Sequence, residues 1–104
     1  MKPTGTRSNR KGLVREIYGG EPYEYYPLGK HVVAAPGICG GRPTFKYTRI
    51  EAAFVLDLLA DGWSIEKVIQ EFKASKLSAP AIREAFRLAR KAFVQSSSVL
   101  RLAA

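Results

Sequence analysis

The chain has 104 residues, 46% of them hydrophobic, and 17 Lys+Arg against 9 Asp+Glu give it a formal net charge of +8. That length makes one domain able to bury a core without disulfides, and it is too short for a full dinucleotide-binding or barrel enzyme. The single cysteine, Cys39, rules out an intramolecular disulfide framework, and no apolar run approaches the roughly 18 residues of a membrane-spanning helix.

The opening residues MKPTGTRSNRKG lack the apolar segment of a secretory leader, so a cytoplasmic location is expected. A basic balance favours polyanionic partners, nucleic acid first among them, although many small basic proteins bind none. The charge is uneven: residues 1–49 hold nine basic and three acidic side chains, 50–76 three and five, and 77–104 five and one.

Residues 1–12 mix Pro, Gly, Ser and Thr with Lys2, Arg7, Arg10 and Lys11 and show no apolar period, which predicts a disordered basic tail. Residues 13–49 are dense in Gly, Pro, β-branched and aromatic residues and predict a β-rich arm with a Gly/Pro loop. Strands are expected at Leu13–Tyr18 and His31–Ala35, with Gly19-Gly20 and Pro22 closing the first. Tyr23, Glu24, Tyr25 and Tyr26 form either a third short strand or an extended arm. Clustered tyrosines suit docking on a second copy or covering the chain's own helices, and a homodimer is the preferred expectation. The run Ala35–Pro43, with two prolines and three glycines, cannot be helical and predicts a shaped loop.

Residues 50–95 change to helical periodicity. Ile50, Phe54 and Leu58, with Val55 and Leu59 beside them, predict a first helix capped by Thr48 or a neighbour and stopped by Gly62. Ser64 is placed to cap a second helix bearing Ile65, Val68, Ile69 and Phe72, with Trp63 as a wedge between the two. Ser78 caps a third helix whose expected buried stripe is Ile82, Phe86, Ala89 and Phe93, fraying at Ser96–Ser98 into a C-terminal tail, residues 96–104. These elements predict a mainly α fold, a three-helix core with a short β-rich N-terminal arm.

Two helices joined by a short turn, the second longer, capped and basic, outline a helix-turn-helix. Ser78, Ala79, Ala81, Ile82 and Arg83 would then face base edges, Arg83 donating two hydrogen bonds to a guanine, while Arg87, Arg90 and Lys91 reach phosphates of double-stranded DNA. An arginine-rich outer face on an ordinary three-helix bundle is the plainer account of the same stripe. The acidic middle, Asp57, Asp61, Glu66 and Glu71, would have to lie away from a duplex and could face a partner protein. Arg49 could meet a phosphate or pair with Asp57 or Glu71.

Other chemistry is poorly supported. Cys39 and His31 lack the orienting third group of a nucleophilic site, and one cysteine with one histidine falls short of a zinc site, so no enzyme activity, metal or cofactor is expected. Gly37, Gly40 and Gly41 lack the Gly-Lys-Ser/Thr ending of a phosphate-binding loop.

The segment Ile38-Cys39-Gly40-Gly41-Arg42-Pro43-Thr44-Phe45-Lys46-Tyr47-Thr48-Arg49-Ile50, followed by Leu58-Leu59-Ala60-Asp61-Gly62-Trp63-Ser64-Ile65, resembles the bacterial family called domain of unknown function 433. The resemblance runs from about Leu28 to Phe93. It rests on a glycine, a basic residue and a proline, then Thr48-Arg49-Ile50, a helix ending in glycine, a Ser-led second helix and a capped third. Tyr47 stands where that family commonly has glycine, Glu51 replaces a frequent proline, and the turn after Phe72 is longer. The resemblance implies a homeodomain-like helix-turn-helix and an antitoxin-like repressor paired with a PIN-like toxin. The alternative expectation is a protein-interaction module that binds such a partner without specific DNA binding.

Overall fold

The computed structural model describes residues 7–9 and 12–103, with side chains from residue 12 to 96. Among the described residues five strands, β1 (Arg7–Asn9), β2 (Leu13–Tyr18), β3 (Glu21–Pro27), β4 (Val32–Ala34) and β5 (Pro43–Phe45), precede three helices, α1 (Ala52–Ala60), α2 (Ile65–Glu71) and α3 (Ala79–Ala103). The strands form an antiparallel meander in the order β1-β2-β3-β4-β5. This α+β architecture corrects the expectation of a homeodomain-like, mainly α core.

The reason is visible in the core itself. Val32 and Phe45 pair across β4 and β5 and pack among Val55, Val68, Leu77, Ala81 and Ile82 of the helical layer. The helices therefore do not close a core by themselves; two strands supply part of it. Alternation sends the next residue the other way, so Val33 joins Tyr23, Tyr25 and Ala35 in a second cluster. Adjacent valines both buried mark a strand covered on both faces.

The β2 bounds match the expected strand, and Gly19 and Gly20, at φ +62° and +83°, make the two-residue turn into β3. Both positions are left-handed, which a hairpin of this length requires and glycine accepts without strain. Strand β5 falls in a segment for which no strand is expected from sequence, and Pro43 at its start hides the signal. Arg7–Asn9, expected within a disordered tail, pair with Leu13–Arg15; the remainder of that tail, residues 1–6, 10 and 11, lies outside the described residues.

Helix α1 begins at Ala52, not at Ile50, and no side chain caps it. Thr48 instead ties the β5–α1 turn, donating to the Phe45 carbonyl at 2.8 Å and accepting from the Ile50 N–H at 3.0 Å. Gly62, at φ +102°, follows the end of α1 as expected. Trp63 packs against the core, and Lys67 Nζ lies 4.3 Å from its ring centroid. Ser64 caps α2, its hydroxyl accepting from the Lys67 N–H at 3.0 Å. Ser64→Ala should therefore lower the unfolding free energy by about 1 kcal/mol in urea titration, with the m-value unchanged.

Helix α3 departs from its expected stripe. Ala81, Ile82 and Ala85 are buried and Leu88 packs against them, whereas Phe86 is 45% and Phe93 72% exposed. Alanines, not phenylalanines, face the body because small side chains let α3 approach α1 and β4 closely. The helix also continues through Ser96–Ser98 to Ala103. Serine costs a helix only about 0.5 kcal/mol per residue, and no Gly or Pro interrupts the run.

Candidate nucleic-acid interface

Capping and packing divide the expected site residues. Ser78 is half-buried and its hydroxyl accepts from the Ala81 N–H at 3.3 Å, so it starts α3. Ala81 and Ile82, expected at base edges, are buried and belong to the core; Ala79 is half-buried. Arg83, Arg87, Arg90 and Lys91 are all exposed. Their +4, +3 and +1 spacing places them on one side of α3, away from Ala81 and Ala85. None of the four takes part in a salt bridge among the described residues.

The sole acid of α3 leaves that face un-neutralised. Glu84 turns toward the β3–β4 connection, where its carboxylate accepts three backbone N–H groups: Lys30 at 3.0 Å, His31 at 2.7 Å and Val32 at 2.9 Å. Burial works to raise its pKa, but the three donors together hold the carboxyl below the ordinary carboxylate value. Gly29 lies against this anchor, since a Cβ there would collide with the Glu84 carboxylate. Sequence reasoning passed over Glu84, and a lone acid in a basic helix is the only signal that marked it.

The connection between α2 and α3 is a short helical turn, Lys73–Ser75, followed by Lys76 at φ +56°. It is longer than the three or four residues of a helix-turn-helix corner, in keeping with the longer turn noted after Phe72. A cleft beside the start of α3 is lined by Lys30, His31, Lys46 and Lys76 together with Ser75 and Ser78. The acidic residues Asp57, Asp61, Glu66 and Glu71 are exposed on α1 and α2 and in the loop after α1.

Tyr18, Tyr23, Tyr25 and Tyr47 pack on one another within the chain. Pairing of β2 with β3 puts Glu16 opposite Tyr23 and beside Tyr25. Glu16 accepts the Tyr25 and Tyr47 hydroxyls, each at 2.7 Å, and Lys46 lies 3.9 Å away. The Tyr25 bond, opposed by partial burial, leads in holding the Glu16 carboxyl below its ordinary value; burial and then Glu16 push the Tyr25 hydroxyl up. The Tyr23 hydroxyl accepts the Tyr47 N–H at 2.9 Å, and Tyr18 stacks on Tyr47 with centroids 4.3 Å apart. Tyr47 sits at φ +66°, where the usual glycine of the resembled family would be at ease. Within the chain these tyrosines cover strands and the turn after β5, not the helices that the internal expectation named.

Cys39 donates its thiol to the Arg49 carbonyl at 3.3 Å, and Arg49 itself is exposed and unpaired among the described residues. Among those residues no three His, Cys, Asp or Glu side chains gather where a metal would sit, and no helix is long and apolar enough to cross a membrane.

Fold and site together define a small basic α+β module that presents a helix face. The chain belongs to the DUF433 family of proteins of unknown function, whose family model matches residues 32–89, from β4 to the middle of α3. No curated protein and no solved structure matches the chain. The β1–β3 meander and the C-terminal part of α3 lie outside the family match.

Proposed function

We propose that the chain is a non-enzymatic module that lays the basic face of α3 on double-stranded DNA. One observation carries this reading: Arg83, Arg87, Arg90 and Lys91 share an exposed face, and the only acid of the helix is turned away into the β3–β4 connection. Cations left unpaired are free to displace counterions from phosphates, and three such contacts, from Arg87, Arg90 and Lys91, give a salt slope of about −3. Arg83, nearest the start of α3, is assigned to a base edge, and Arg87, Arg90 and Lys91 to phosphates. The helix acts through this face without a helix-turn-helix corner. The cellular role that fits is an antitoxin-like repressor, which adds a toxin protein as a second partner.

The test is equilibrium binding of the full chain, over a salt series, to the duplex upstream of its own gene and to a scrambled duplex. The native duplex should be preferred. Arg87→Ala and Arg90→Ala should weaken both duplexes alike and reduce the salt slope by about one each, while Arg83→Ala should relax the preference. Equal, weak binding to both duplexes that ignores all three substitutions would overturn the reading and leave partner-protein binding, measured by co-purification, as the function.

A further inference from the structure

Among the described side chains, the last ones of α3 lie open to solvent. Phe93, Val94, Gln95 and Ser96 are all exposed, and the helix runs on to Ala103. Phe86 and Phe93, one heptad apart, stand 45% and 72% exposed on one side, and the sequence continues that spacing at Leu100. The eleven residues after Ala92 span about 16 Å, and a helix end that short gains little stability in water without tertiary packing.

Beside this end lies a groove of about 390 Å³ between α1 and α3, also lined by Leu28 and Pro43. Its wall is alanine-rich on both helices: Ala52 and Ala53 on one, Ala85, Ala89 and Ala92 on the other, with Leu56 and Leu88 between. Every lining side chain is apolar, so its occupant must be uncharged over the contact. Small walls admit a helix at close range.

We infer that the groove receives the C-terminal part of α3 from a second copy of this chain. Three features select that occupant. Ala89 and Ala92 belong to the groove and adjoin Phe93, so the groove and the uncovered helix end are continuous along one helix. A twofold axis near Ala92 sets the two α3 helices antiparallel and sends each end into the other's groove, which satisfies both apolar surfaces with one contact. Two chains of charge +8 must also meet through uncharged faces, and Arg83, Arg87, Arg90 and Lys91 point away from the groove wall. The dimer so formed keeps two basic faces outward. The inference stands independently of DNA binding.

Sedimentation of the full chain without DNA, over a concentration series, tests it. The native chain should dimerise. Phe93→Glu, at a site too exposed to disturb the body, and Ala53→Glu, on the α1 wall, should each weaken the dimer about a hundredfold. Ile17→Glu, on the exposed β2 surface, should leave it intact. Circular dichroism should show the Phe93→Glu body still folded, with some loss of helix from the freed end. A native chain that stays monomeric, or a dimer broken by Ile17→Glu and not by Phe93→Glu and Ala53→Glu, would overturn the inference.

Discussion

Replacing Glu84 with alanine should lower the unfolding free energy by about 2–4 kcal/mol at neutral pH, because three backbone donors lose a charged acceptor at once. The His31 and Val32 N–H groups suffer most, Val32 being 1% exposed, whereas the Lys30 N–H is open to water. Glu84→Gln keeps one acceptor oxygen and should lose about half as much. Acid separates the charge from the geometry. The folded-state carboxyl titrates below its ordinary value of 4.5, so its contribution is fully present above that pH and is lost as pH falls through the folded value. Urea titrations between pH 7 and 3 should show the native chain losing stability below about pH 4.5 by this route, and Glu84→Gln losing less. Equal acid sensitivity in the two proteins would assign the loss to other carboxylates, such as Glu16.

Phe45→Ala should cost more, about 3–5 kcal/mol, since a 2% exposed aromatic leaves a cavity that surrounding helices cannot fill. Phe45 joins β5 to α1, α2 and α3 through Val55, Val68 and Ile82. A domain of this size holds about 5–15 kcal/mol in total, so the variant should be close to unfolding at physiological temperature. It should also unfold in a single step, with far-ultraviolet and tyrosine signals coincident, because the core that fails belongs to strands and helices alike. Two separate transitions would show the Tyr-rich meander to be an independent unit. Phe45→Leu, which retains most of the volume, should fold with a smaller loss.

Legibility followed the range of the interactions involved. Leu13–Tyr18, the Gly19-Gly20 turn, the Gly62 stop and the Ser64 and Ser78 caps were each readable from a few neighbouring residues. The α3 stripe was not. A period of 3.6 marks which residues share a side, and from Ile82 it can be continued either through Phe86, Ala89 and Phe93 or through Ala81, Ala85 and Leu88. Packing against α1 and β4 chose the second, which moved Ala81 from the candidate site into the core. The Arg83, Arg87, Arg90 and Lys91 face was found from spacing alone, and its freedom from carboxylates only from where Glu84 points.

The sequence alone determined the local grammar of this protein: the β2 strand and its glycine turn, the Gly62 stop and the Ser64 and Ser78 caps, the sign and placement of its charge, and its DUF433 family. Tertiary structure alone decided that the fold is α+β, because Val32 and Phe45 complete a core the helices cannot close. It also decided that Glu84 serves the backbone at residues 30–32, more than fifty positions away. Turn and cap preferences are set by φ, hydrogen bonding and nearest neighbours. Burial is set by which surfaces meet, and chain order does not state that.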